Sequence, residues 1–153
     1  MSREELRFWM GRYEARFPTD RHYARNHMWA QRQGPNRWRF GFSAYAVRLL
    51  QDVYFLDWHF EPGTPVRQGD QIGEIESSKA ESLLYAPVTG RMVRVNESLL
   101  DDPSLINVDT YQRGWLFEME SQDPEVLSPQ QYLDHLAESW KSAQRLIKGQ
   151  VNE

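Results

Sequence analysis

One lysine, Lys79, stands where the sequence predicts a tight turn between two short β-strands. Three acidic residues, Glu74, Glu76 and Glu81, bracket it, and no other basic residue lies nearby. An amine at the tip of a hairpin points into solvent, where another protein can reach it. The simpler alternative is an ordinary solvated surface charge, which is what most exposed lysines are. The acidic surroundings distinguish Lys79 from such a lysine.

The strands on either side of Lys79 are predicted from their apolar residues, which are Ile72, Ile75, Leu83, Leu84 and Tyr85. Between them, Ser77, Ser78 and Ala80 make the tip polar and uncrowded. A second turn at Pro87–Gly90 closes the second strand. The segment therefore predicts a rigid hairpin that presents one amine.

Most of the remaining chain, residues 18–121, consists of short strand candidates separated by Pro/Gly turns. Alternating or β-rich patterns predict strands at residues 37–42, 53–58, 91–96 and 115–120. Ser43 is placed to cap a short helix over residues 44–50. This organisation predicts a mainly β (α+β) domain over residues 18–121.

A helix is predicted at the N-terminus, over residues 1–17. Ser2 and Glu5 form a capping-box pattern, and Pro18 ends the segment. Its apolar residues recur at helical spacing: Leu6, Met10, Tyr13 and Phe17. Such a helix either packs on the domain or docks a partner.

A second helical extension is predicted for residues 122–153, packed on the same domain. Ser128 supplies a cap and Pro129 occupies the first helical position. The inner stripe of this helix is Leu133, Leu136, Trp140, Ala143 and Ile147.

Composition excludes several classes of function. The 153 residues carry 18 basic and 22 acidic side chains, a net charge of −4, which argues against nucleic acid or an anionic membrane as the main partner. The absence of cysteine excludes disulfides, thiolate metal sites and a cysteine nucleophile. We see no secretory signal and no apolar run of about 18 residues, and we therefore expect a cytoplasmic protein without a membrane span.

No enzyme or metal-site pattern is found in the sequence. There is no P-loop, no G-x-G-x-x-G and no nucleophile elbow. The four histidines, His22, His27, His59 and His135, lack metal-ligand spacing. We expect neither catalytic residues nor a bound metal. An independent enzyme and an unmodified structural module both stay open at this point, and neither would gain a covalent group from a modifying enzyme.

The hairpin is similar to the lipoyl-attachment hairpin of the glycine cleavage H-protein family, which carries E-S-x-K-A followed by Y-x-P-x-x-G. Here these are Glu76-Ser77-Ser78-Lys79-Ala80 and Tyr85–Gly90. The resemblance extends from about residue 26 to about residue 133 and includes His27-x-Trp29 and Gly41-Phe42-Ser43. Biotin carriers resemble this fold but place their lysine between two methionines, whereas Lys79 lies between Ser78 and Ala80.

The resemblance implies a barrel-sandwich hybrid of the H-protein and biotinyl/lipoyl-carrier type, with Lys79 at a hairpin tip. It implies that lipoate is amide-linked to Lys79, with Glu76, Ser77, Ser78 and Ala80 forming the attachment hairpin. Such a protein is a carrier and not an enzyme. Its implied partners are a lipoate ligase or lipoyltransferase and dihydrolipoamide dehydrogenase.

The cargo pocket departs from the family pattern. A Glu and a His that help to hold the aminomethyl cargo in the family correspond here to Met28 and Leu49, beside His27. A branch of similar carriers in bacterial sulfur oxidation tends to lack both, and its F-P-x-D run is matched at Phe17–Asp20. The sequence thus favours a sulfur cargo and a heterodisulfide-reductase-like complex as partner. The alternative is glycine cleavage, with glycine decarboxylase and aminomethyltransferase as partners.

Overall fold

The computed structural model describes the backbone of residues 4–152 and the side chains of residues 4–144. The strands are Glu5–Met10 (β1), Tyr13–Pro18 (β2), His22–Tyr23 (β3), Met28–Arg32 (β4), Arg37–Phe42 (β5), Val53–Trp58 (β6), Pro65–Val66 (β7), Gln71–Ser77 (β8), Glu81–Tyr85 (β9), Gly90–Val95 (β10) and Phe117–Glu120 (β11). The helices are Ala44–Leu50 (α1), Ser98–Asp101 (α2), Leu105–Val108 (α3) and Pro129–Asn152 (α4).

Two sheets enclose the main hydrophobic core. One has six strands in the order β3-β4-β5-β11-β10-β7, and the other has three in the order β6-β8-β9. The alternation in β5 explains its position, because Trp38, Phe40 and Phe42 are buried while Arg37 is exposed. These three aromatic side chains share one core with residues of the smaller sheet, among them Ile72 and Ile75. The predicted mainly β fold is confirmed.

The prediction of an N-terminal helix over residues 1–17 is wrong. From Glu5 to Pro18 the chain forms an antiparallel hairpin, β1 and β2, that turns at Gly11 with a positive φ of 64°. The apolar residues of this segment fit a period of two as well as a helical period. Burial decides between them, because Met10, Ala15 and Phe17 lie on the inward face of the hairpin. Ser2, half of the proposed capping box, lies outside the described residues.

The C-terminal extension is helical only from Pro129, so residues 122–128 form an irregular connection. The predicted cap is present, since Ser128 Oγ accepts from the Gln131 amide (3.2 Å) and the Ser128 amide donates to Gln131 Oε1 (2.9 Å). A second core cluster lies beneath this helix, where Tyr132 and Leu136 pack with Phe17 of the hairpin. The N-terminal hairpin and α4 therefore bury one another's apolar faces.

Within residues 4–152, no helix is both long enough and apolar enough to cross a membrane.

Candidate functional site

Lys79 lies at the tip of the β8–β9 hairpin, and its side chain is exposed. Among the described residues, no hydrogen bond or ion pair reaches its ammonium group; only its backbone amide is engaged, by Ser77 Oγ at 3.4 Å. The amine is thus presented to solvent, as the sequence predicts.

The turn that carries Lys79 is held by the two serines that precede it. The amide of Ser77 donates to the Ala80 carbonyl at 2.8 Å, and the buried Ser77 hydroxyl oxygen accepts from the Ala80 amide at 3.2 Å. Ser78 is fixed from its other side, because its amide donates to Asp52 O (2.9 Å) and its hydroxyl accepts from Asp52 N (3.1 Å). These bonds fix the backbone of the tip while they leave the lysine amine free.

The outer face of the hairpin is acidic. Glu74 and Glu76 are two residues apart on β8 and share that face, and Glu81 on β9 lies directly opposite Glu76. Three carboxylates therefore lie on the face of the hairpin that carries Lys79 at its tip.

A cleft of about 300 Å³ lies beside the hairpin. Its walls come from the segment that leads into β4, the end of β5, helix α1, and the β8–β9 hairpin with its turn. The lining residues are Asn26, His27, Met28, Phe42, Ala46, Leu49, Leu50, Ile75, Ala80, Ser82, Leu83, Leu84 and Tyr85. The structure therefore brings the predicted pocket residues His27, Met28 and Leu49 together with Ala80 of the attachment hairpin.

Helix α1 forms one wall of the cleft because Ser43 caps it, as predicted; the Ser43 hydroxyl accepts from the Ala46 amide. Leu49 is 46% exposed on this helix, whereas Met28 is buried. Asn26 ties the opposite wall to the hairpin, because its side-chain amide donates to the Tyr85 carbonyl at 3.1 Å.

His27 is the polar end of the cleft and is held from behind by Tyr132. The Tyr132 hydroxyl shares hydrogen bonds with His27 Nδ1 (2.9 Å) and with Ser43 Oγ (2.7 Å). It thus links both walls of the cleft through one buried group. The Tyr132 ring is stacked on Tyr23 at 4.6 Å, and the His27 ring is stacked on His135 at 5.3 Å. His27 also has a positive φ of 72°, which sets the direction of its side chain.

The cleft carries no net charge near neutral pH. Burial, and to a smaller extent the neighbouring His135, lower the pKa of His27 to about 4. The imidazole is therefore neutral, and none of the described residues that line the cleft is an acid, a lysine or an arginine. Apolar chains fit such walls, whereas a cationic group finds only neutral hydrogen-bonding atoms.

Tyr132, Ser43 and His135 were not among the predicted site residues. Tyr132 precedes Leu133, which belongs to the predicted inner stripe of α4. The sequence therefore does not show which of the two faces the core, nor that the Tyr132 hydroxyl reaches a cleft. Only the packing of α4 on β4 and α1 shows that it supports the cleft.

Comparison with known proteins places these features in a family. The family model described as "Glycine cleavage H-protein" matches residues 21–143. The N-terminal hairpin β1–β2 lies before that match. The resemblance noted in the sequence is therefore confirmed.

Individual relatives agree with this assignment. The chain is 43% identical over 107 residues to a glycine cleavage system H protein of Myxococcus xanthus, a match that covers 70% of this chain and 81% of the relative. It is 40% identical over 125 residues to that of Rubrobacter xylanophilus, covering 81% and 98%. The crystal structure of the corresponding protein from Mycobacterium marinum superposes with a TM-score of 0.69 at 33% identity, covering 79% of this chain and 99% of that one. This chain therefore belongs to the glycine cleavage H-protein family.

Proposed function

We propose that this chain is the lipoyl carrier of a glycine cleavage system, with lipoate amide-linked to Lys79. The observation that carries the proposal is an exposed lysine, without an ion pair among the described residues, at a hairpin tip held by hydrogen bonds and in the attachment motif that the sequence shares with the family. In this proposal the chain is a substrate of its partner enzymes and has no catalytic residues of its own.

The residues around Lys79 fit such a group. Amide formation removes the ammonium charge, and no ion pair among the described residues is lost when it does. The cleft beside the tip has mainly apolar walls, including Leu49 and Leu83, which suit an aliphatic arm. When bound, lipoate supplies a dithiolane that accepts and releases the transferred aminomethyl group.

The chain's own residues position the lipoyl arm and shelter it from water. Ser77 and Ser78 hold the tip, so that the tether starts from a fixed point. Tethering converts each encounter with a partner's active site into a local one, with a gain in effective concentration. The cleft, closed behind by His27 and Tyr132, keeps a docked arm away from water between encounters.

The proposed partners fall into three groups. A lipoate ligase or lipoyltransferase attaches the group and reads the acidic face formed by Glu74, Glu76 and Glu81. Glycine decarboxylase and aminomethyltransferase load and unload the arm. Dihydrolipoamide dehydrogenase reoxidises it.

Glycine cleavage is preferred over the sulfur-oxidation cargo that the sequence favours. The matched family and the relatives described above carry a glycine cleavage name, and none of those relatives supports the sulfur cargo or a heterodisulfide-reductase-like partner. One observation still favours a cargo other than an amine. The cleft holds Met28 and Leu49 and no carboxylate, so it offers a cationic amine little stabilisation.

Attachment is tested by intact mass after co-expression with a lipoate ligase and lipoate. We expect one lipoyl group on the wild-type chain and none on Lys79→Arg, with the same circular dichroism and melting temperature. Lys141→Arg is the matched control, because Lys141 is an exposed lysine on α4, and it should gain the group as the wild type does. A wild-type chain that gains no mass, or a Lys79→Arg variant that gains it, would contradict the proposal.

The cargo is tested separately with the lipoylated chain. We expect it to support the exchange of the glycine carboxyl group with bicarbonate by glycine decarboxylase. Leu49→His should not lower this exchange, since Leu49 is half-exposed and the change restores the residue type of the family pattern. A fully lipoylated chain without exchange would exclude glycine cleavage and leave the sulfur cargo as the better hypothesis.

A further inference from the structure

We propose a second site on this molecule: Asp57, His59 and Glu74 bind one divalent transition-metal ion of the zinc class. Asp57 lies on β6, Glu74 lies on β8, and His59 follows the end of β6. This site uses neither Lys79 nor the cleft, and it shares only Glu74 with the acidic face, so it can be tested without lipoate attachment.

The sheet register brings the ligands together. Asp57 on β6 is the direct cross-strand partner of Glu74 on β8, and His59 follows Asp57 by two residues. One potential ligand atom from each residue lies within 4.8 Å of the others, and His59 Nε2 is 3.3 Å from Asp57 Oδ2.

This spacing is close to what a metal ion requires. Ligand atoms about 2.0 Å from a tetrahedral zinc ion are themselves about 3.3 Å apart. The three atoms need to close by roughly 1.5 Å at most. The Asp57 and His59 side chains are 54% and 35% exposed, so changes of rotamer alone can supply that movement.

The charges at this place favour a cation. Two carboxylates directly opposite one another on a sheet repel each other. Among the ion pairs of the described residues, neither Asp57 nor Glu74 contacts a lysine or an arginine, and His59 is the partner of Asp57. A divalent ion between the carboxylates would remove the repulsion and replace the weak contact with His59.

The backbone of His59 is already held in place for this role, and a turn of one neighbouring amide would complete the orientation of its ring. Its backbone amide donates to the Ile72 carbonyl at 2.9 Å, which fixes the residue to β8. The side-chain amide of Gln71 lies 3.2 Å from His59 Nδ1. If this amide is turned so that its oxygen accepts from Nδ1–H, Nε2 is left with a free lone pair that points toward the carboxylates. Gln71 thus acts as a positioning residue and not as a ligand.

The donor set selects the class of metal. One imidazole nitrogen with two carboxylate oxygens suits zinc and its neighbours, whereas magnesium and calcium prefer oxygen ligands alone. Three protein ligands leave a fourth position for water. The sequence gives no metal spacing because Glu74 is distant along the chain, and only the pairing of β6 with β8 brings it close.

The experiment is isothermal titration of the tag-free, full-length chain with zinc chloride, using protein that mass spectrometry shows to be free of lipoate. Reduced lipoate is a dithiol that could itself bind zinc, so in its absence any zinc is bound by the protein's own residues. We expect one zinc ion per chain and no measurable heat with magnesium chloride. His59→Ala should abolish zinc binding. Gln71→Ala should weaken zinc binding about tenfold, because the His59 ring loses the hydrogen bond that holds its other nitrogen.

Two matched controls keep the result specific. His22→Ala removes another exposed histidine, and Glu76→Gln removes the next acid on the same face of β8; both should bind as the wild type does. In the NMR spectrum of the wild type, zinc should shift the ring resonances of His59 and not those of His22. Absence of binding, or equal binding by wild type and His59→Ala, would overturn the proposal.

Discussion

The imidazole of His27 makes the stability of this protein depend on pH in a calculable way. Burial lowers the pKa of His27 to about 4 in the folded chain, against 6.5 for an exposed histidine. Below pH 6.5 the unfolded chain binds a proton at this position that the folded chain does not. The stability that the neutral His27 side chain allows is therefore fully present above pH 6.5, and it is lost progressively as the pH falls toward 4.

The size of the effect follows from the two pKa values. The difference of about 2.5 pKa units corresponds to a limit of about 3 kcal/mol in the free energy of unfolding. Between pH 8 and pH 5, His27 alone should lower that free energy by about 2 kcal/mol. Carboxylates also begin to titrate near pH 5, so the comparison must be made against a variant that lacks only this group.

The assay is urea unfolding of the wild type and His27→Asn at pH 8, 7, 6 and 5. Asparagine is among the residues other than glycine that adopt a positive φ most readily, so the backbone at this position is preserved. We expect the pH-dependent loss to be smaller in His27→Asn by about 2 kcal/mol. His22→Asn is the control for the substitution itself, since His22 is an exposed histidine that lies outside the cleft. Parallel curves for the wild type and His27→Asn would refute the reasoning.

Two further predictions concern packing around the cleft. Tyr132→Phe leaves the His27 ring and the Ser43 hydroxyl without their buried partner and should cost about 1–3 kcal/mol of unfolding free energy, whereas Tyr54→Phe at an exposed ring should be neutral. Gly41→Ala places a Cβ in steric conflict with the Trp29 ring and should cost about 1–3 kcal/mol, whereas Gly34→Ala meets nothing closer than 3.9 Å. Urea unfolding measures all four variants, and neutral results for Tyr132→Phe or Gly41→Ala would contradict these accounts.

Local patterns were sufficient where neighbouring residues alone determine the structure. The turn at Lys79, the Ser43 cap of α1 and the Ser128 cap of α4 each depend on residues within a few positions of one another. The alternation of β5 likewise shows which side chains face the core. These features were predicted correctly, because hydrogen bonds over short sequence distances and side-chain periodicity fix them.

The N-terminal segment shows where local patterns fail. Its apolar residues satisfy two periodicities, and the pattern alone does not say which face is covered. The choice depends on a distant partner, since Phe17 packs edge-on against Tyr132 of α4 with ring centroids 5.4 Å apart. A helix could not have presented Ala15 and Phe17 to that surface together with Met10 of the opposite strand.

By itself, the sequence determined the family, the mainly β fold and the position of the exposed lysine, because motif and turn chemistry are local. Only the tertiary structure decided which further residues line the cleft, that Tyr132 supports His27, and that Asp57 meets Glu74. Each of these joins segments that are far apart in the chain. Their geometry, burial and charge are properties of strand pairing and helix packing, which no short stretch of residues specifies.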